Sequence, residues 1–200
     1  MNTGEASSTP RKRGRPRDTR LHAEILDATA ELVQELGYEK TTMERVAGRT
    51  GVSRATLYRW WDGKGQLVIE SLMEKRKHPP VAIPDDFDAG LEELINSMVD
   101  SIVAPHNLDA LLGLEYDSRY DTKLEQTLRA SRVETTNVIE SVFRQAKNSG
   151  RISKGFDEDT VYHLLYGGAM MMANHSRGSS KKKISQQLNA FFRLALHRNF

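Results

Sequence analysis

Between positions 53 and 59, Ser53, Arg54, Thr56, Tyr58 and Arg59 crowd five hydrogen-bonding side chains into seven residues with no acid among them. Arranged helically around Leu57, they make a donor-rich face on a helix short enough to enter a DNA major groove. Arginine can meet the O6 and N7 acceptors of guanine with two parallel N–H bonds, and the hydroxyls suit phosphate oxygens. A second basic group stands far upstream, at Arg13-Gly14-Arg15-Pro16-Arg17. Glycine there allows close approach, proline keeps the chain extended, and Arg13, Arg15 and Arg17 suit the negative potential of a narrow minor groove. The plain alternatives are a polar helical hairpin and a non-specific electrostatic arm.

These side chains need a scaffold, and the preceding residues supply one. Leu21, Ile25, Ala28, Leu32 and Leu36 recur at helical spacing, widened by Leu26 and Val33, and Gly37 stops the helix. Thr41-Thr42-Met43-Glu44 has the capping-box form, with Thr41 as the expected cap and Glu44 three residues on. Met43, Val46 and Ala47 then face inward. Arg49-Thr50-Gly51-Val52 reads as a tight turn, and Ser53 caps a helix through Trp60 or Trp61. Residues 42–61 therefore have the layout of a helix-turn-helix, with Val46, Ala47, Val52 and Leu57 placed to bury it against the first helix.

The rest of the chain is helical too. A fourth helix runs from Lys64 to about Lys77 and is broken by His78-Pro79-Pro80 and Pro84-Asp85-Asp86. Leu91, Ile95, Met98 and Ile102 form a stripe ended by Pro105, and a shorter segment covers Leu108 to about Tyr116. Long helices follow over about 121–147, 157–175 and 182–198. The expected fold is all-α, about nine helices. Residues 1–17 are a disordered basic arm, 18–79 a helix-turn-helix domain with its linking fourth helix, and 88–200 a second helical domain.

Composition narrows the function. The net charge is only +2, yet residues 1–20 hold six basic and two acidic side chains, so the basic excess is concentrated at one end. That points to a polyanionic partner. Cysteine is absent, which excludes disulfides and thiol catalysis. Six scattered histidines show no metal-ligand spacing, and no phosphate loop or nucleophile elbow occurs, so neither enzyme nor metal or cofactor protein is expected. The start lacks an apolar segment and no apolar run reaches about 18 residues. A cytoplasmic protein without a membrane partner is expected.

The region 18–79 resembles the DNA-binding domain of the TetR family of bacterial regulators. The resemblance is carried by Ile25-Leu26-Asp27-Ala28, Gly37-Tyr38, Thr41-Thr42-Met43, Val46-Ala47 and the run Gly51 to Trp61, followed by Lys64 and Leu67. It implies phosphate contacts from Thr42, Ser53, Thr56, Tyr58 and Lys64, with Arg54 and Arg59 reading bases. It also implies a homodimer on a pseudo-palindromic double-stranded operator, acting as a repressor released by a small-molecule effector. Two departures stand out. Gly63 replaces the usual polar cap before the lysine, and Gly65 follows it, so a weak helix start and a loosened link are expected. Trp60 stands where a histidine is common, and is expected to pack. An architectural protein of AT-hook type, which shares the Arg-Gly-Arg-Pro core, is the rival reading.

For the C-terminal part, the long helix has Leu124, Leu128, Ser131, Thr135, Val138 and Val142 on one face. Ser131 and Thr135 either back-bond to the preceding turn or line a pocket. Tyr116, Tyr120, Tyr162, Tyr166, Met98 and Met170 are further effector-site candidates. Leu164, Leu165, Gly168, Met171 and Met172, with Leu188, Phe191, Phe192 and Ala195, are expected at the dimer interface.

Overall fold

A computed structural model describes residues 19–75, 86–104, 106–148, 150, 152, 157–175 and 180–197. They form nine helices and no strand: α1 (Thr19–Leu36), α2 (Met43–Thr50), α3 (Arg54–Trp60), α4 (Lys64–Lys75), α5 (Phe87–Val103), α6 (Asn107–Ser118), α7 (Thr122–Asn148), α8 (Glu158–His175) and α9 (Lys181–His197). The all-α expectation holds. None of these helices is long and apolar enough to cross a membrane.

Local chemistry explains the ends of the first elements. Gly37 and Gly51 take left-handed φ of 78° and 71°, which a side chain would resist, and so end α1 and α2. The cap of α2 falls one residue later than expected. Thr42 Oγ1 accepts the Arg45 N–H, whereas Thr41 is buried and donates to the Gly37 carbonyl. Burial decided between the two threonines, because Thr41 is needed to satisfy the end of α1.

Two apolar clusters form. The smaller joins Ile25, Leu26 and Leu32 of α1 with Met43, Val46, Ala47, Leu57, Trp61 and Leu67. The larger is built around α5, which packs against α6, α7, α8 and α9. Helix α4 belongs to both: Leu67 enters the smaller cluster, while Val68, Ile69 and Leu72 enter the larger. Val33 and Tyr38 also reach into the larger one. The end of α1 and the body of α4 therefore cannot shift without disturbing both cores.

The expected loosened link at Gly63 and Gly65 is not found. A Cβ on Gly65 would lie 2.5 Å from Cδ2 of Leu124, so the glycine admits the start of α7 against α4. Beside it, Lys123 Nζ donates to Asp62 Oδ2 at 2.6 Å. The Asp62 N–H is accepted by Gln66 Oε1, which ties the residue before Gly63 to the first turn of α4. Close packing and these side-chain bonds hold the start of α4.

Candidate nucleic-acid interface

Helix α3 presents its polar face because Leu57, fully buried, pins the opposite face to the small core. Ser53 caps it: its Oγ accepts the Thr56 N–H at 3.1 Å and lies 2.9 Å from Thr56 Oγ1. Ser53, Arg54, Tyr58 and Arg59 are exposed, and Thr56 is half-buried beside them. The side chains expected to meet DNA therefore share one surface. Trp60 packs, as expected, edge-on to Trp61 and tilted against His22. Trp61 is buried, stacks on His22 and donates its indole N–H to Glu70 Oε2 at 2.6 Å. That contact fixes the end of α3 to α4.

The face is not free of acid. Glu44 of α2 pairs with Arg54 at 3.1 Å, both side chains being more than half exposed. Hydrogen bonding at the start of α2 and the nearby Arg54 hold the Glu44 carboxyl below its usual range. Arg54 thus has an acidic partner within the protein. On the far side of α2, Arg49 donates to both carboxylate oxygens of Glu35, at 2.6 and 3.0 Å, and ties α2 to α1. Thr42 sits half-buried at the α2 start, where its hydroxyl accepts the Arg45 N–H and hydrogen-bonds the Glu44 carboxylate.

Lys64 opens α4 with its Nζ 4.0 Å from the centre of the Tyr38 ring and 3.5 Å from the Tyr38 carbonyl. A lysine over an aromatic face is held by the ring quadrupole. Tyr38 itself is buried and donates its hydroxyl to Asp117 Oδ2 of α6 at 2.5 Å. Burial first, and then the Asp117 carboxylate, push the phenol's pKa upward. The tyrosine is thus a joint between Lys64 and α6. Only its place in the Gly37-Tyr38 pair marked it in sequence, and its partner lies 79 positions away. Arg13, Arg15 and Arg17 lie outside the described residues, as does most of the expected domain boundary at 78–87.

A sequence model for bacterial regulatory proteins of the tetR family matches residues 25–70. An HTH-type transcriptional regulator of Mycobacterium bovis is 30% identical over 155 residues, covering 76% of this chain and 73% of that one. The chain belongs to the TetR family. It is a DNA-binding transcriptional regulator and not an enzyme. Two solved regulators share the fold. One, from Saccharomonospora viridis in complex with choline, has a TM-score of 0.69 at 18% identity and covers 91% of this chain and 100% of that one. The other, FadR from Bacillus subtilis in complex with stearoyl-CoA, has a TM-score of 0.65 at 17% identity, over 87% and 98%.

The residues expected to line an effector site are scattered. Ser131 donates to the Leu128 carbonyl at 2.7 Å, so its hydroxyl is turned to its own helix. Tyr116 and Tyr120 are 62% and 79% exposed and touch each other. Met98 and Met170 are core residues, and Thr135 is half-buried. Tyr162 and Tyr166 do come together, stacked 5.5 Å apart on α8. The expected interface residues also divide. Leu165, Leu188 and Phe192 are buried within the single chain, in the larger apolar cluster. Gly168 admits the Leu188 side chain, 3.3 Å from a Cβ placed there. Met172 and Ala195 are partly buried. Leu164, Met171 and Phe191 remain more than half exposed, joined by Leu194, which sequence reasoning missed.

Proposed function

We propose that this regulator is a ligand-responsive repressor that binds a pseudo-palindromic operator as a homodimer and is released by a small molecule. The observation that carries the reading is the division of the surface. Ser53, Arg54, Tyr58 and Arg59 expose a polar face on α3, and Leu164, Met171, Phe191 and Leu194 expose an apolar one on α8 and α9. Large apolar side chains clustered on a folded surface mark an interaction site. A two-fold dimer through them would present two recognition helices, which a palindromic site requires.

In this reading residues 18–79 bind DNA, residues 88–200 dimerise and bind the effector, and the arm at 1–17 reaches the minor groove. The regulator works in the cytoplasm, where the chromosome lies. Arg54 and Arg59 read bases, while Thr42, Ser53, Thr56, Tyr58 and Lys64 grip phosphates. Fold relatives solved in complex with stearoyl-CoA and with choline support a small-molecule ligand.

Selection of bound sequences from random DNA with the full chain tests this. A palindromic consensus is expected, with base preference relaxed by Arg54→Ala and all sites weakened alike by Lys64→Ala. Binding without any consensus would favour the architectural reading instead, since specific regulators gain at least about a thousandfold over random DNA.

A further inference from the structure

The last turn of α6 is held from two sides. Toward the recognition helices, Asp117 accepts the Tyr38 hydroxyl, and Tyr38 in turn holds Lys64. Toward α7, Glu115 accepts Nη2 of Arg132 at 2.5 Å. Two positions along a helix are about 200° apart, so these bonds leave nearly opposite faces of α6. The helix is clamped between the two halves of the chain by two carboxylates.

Arg132 is unlike the other arginines of α7. Its side chain is 29% exposed, against 79% for Arg129 and 65% for Arg144. Burial opposes its charge, but Glu115, and then the phenols of Tyr162 and Tyr166, outweigh that and strengthen its hold on the proton. The guanidinium has five N–H donors and gives one to Glu115. A concavity lined by Glu115, Tyr116, Ser118 and Arg119 reaches the Glu115 side of this pair and is open to solvent, with a second arginine, Arg119, in its lining.

We propose that Arg132 is the anchor for a carboxylate-bearing effector, which competes with Glu115 and so releases α6 from α7. This rests on the ligand-responsive reading above and gives its effector a charge. The asymmetry of the pair decides the sign. An anion that takes Arg132 offers the fork two acceptors and turns Glu115, at the mouth of the concavity, out to water. A cation that took Glu115 would strand Arg132 half-buried without a partner, which is costly. Freed on one side, α6 carries Asp117 away from Tyr38, and Lys64 loses its support.

Octanoate is the probe, with octyltrimethylammonium as its cationic counterpart, on the full chain. Octanoate binding is measured on the protein alone and then as weakening of a selected DNA site. Octanoate is expected to bind and to weaken DNA binding by at least about fivefold, the low end of ordinary allosteric coupling. The ammonium probe is expected to do neither. Arg132→Gln should abolish octanoate binding while the far-ultraviolet spectrum stays helical. The swapped pair Glu115→Arg with Arg132→Glu should keep the ion pair's contribution to the urea midpoint, which Arg132→Gln loses, and should still fail to bind octanoate. Failure of octanoate to bind, retention of binding in Arg132→Gln, or release by the ammonium probe overturns the proposal. If octanoate binds through Arg132 but no DNA site is selected, it is the regulator reading that fails.

Discussion

The ring of Tyr38 occupies the space that a side chain at Gly113 would need. A Cβ on Gly113 would stand 2.2 Å from Cδ1 of Tyr38 and 2.9 Å from Cγ. These are atoms near the root of a buried ring, and the ring is held by Asp117 at one end and covered by Lys64. Neither partner can give way by a rotamer change alone.

Gly113→Ala should therefore destabilise the protein even though alanine is the better helix former by about 1 kcal/mol. Overpacking of this kind costs about 1–3 kcal/mol, and the clash falls on a rigid group, so the cost wins. Urea denaturation should show a lower midpoint, and DNA affinity should fall because Lys64 loses its platform. An unchanged midpoint would mean that α6 and Tyr38 can separate freely.

Gly65→Ala makes an instructive contrast. Its Cβ would meet Cδ2 of Leu124 at 2.5 Å, which is the tip of a flexible side chain. Leu124 can rotate, and the helix gains propensity at the start of α4. The two effects are of similar size, so the midpoint should move by less than half the shift of Gly113→Ala. A larger loss would show that Leu124 is fixed by the rest of α7.

Alkaline stability should report the Tyr38–Asp117 bond. In the folded state the phenol is pushed above its ordinary value of 10.0 by burial and by the Asp117 carboxylate. Below pH 10 both folded and unfolded chains keep the proton, so the contribution is complete. Above it the unfolded chain loses a proton that the folded chain retains, and stability falls by about 1.4 kcal/mol per pH unit. Tyr38→Phe should remove this slope, read as the difference in unfolding free energy between pH 9 and 11. Equal slopes in the two proteins would place the hydroxyl in water.

Much of this was legible in the sequence wherever the signal was local. Gly37, Gly51 and Ser53 act within four residues of their own positions, and each ends or caps its helix as its type dictates. Where two residues of one type compete, burial decides, as with Thr41 and Thr42. Contacts across the chain left no trace. Nothing near Asp117 or Arg132 distinguishes them from solvated helix charges until α6 and α7 are docked, and Gly65 looks like a defect until Leu124 is seen against it. The Glu44–Arg54 pair was missed because it joins two helices whose angle the sequence does not state.

On the proposed docking, that pair should also modulate recognition. Glu44→Gln removes the acid paired with Arg54 and keeps a side-chain oxygen that can still accept hydrogen bonds at the start of α2. Affinity for random DNA should rise several-fold at low salt, with a steeper salt dependence. Specific affinity should rise less on the proposed docking, in which Arg54 engages a base in either protein. A fall in both would mean that Glu44 itself contacts the operator.

Phe191 and Phe192 stand side by side in sequence, packed edge to face, yet one is 57% exposed and the other 2%. The sequence placed both at the dimer interface, because successive residues of an apolar helix differ by only about 100°. Their substitutions should separate association from folding. Phe192→Ala empties a site in the main core and should cost about 3–5 kcal/mol of unfolding free energy. Phe191→Glu should leave the secondary structure intact and shift the sedimenting species to a monomer, with loss of binding to a two-half-site operator. Adding Leu194→Glu should deepen that shift, since the two side chains lie three positions apart on one face of α9. A Phe191→Glu protein that still sediments as a dimer would move the interface away from α9.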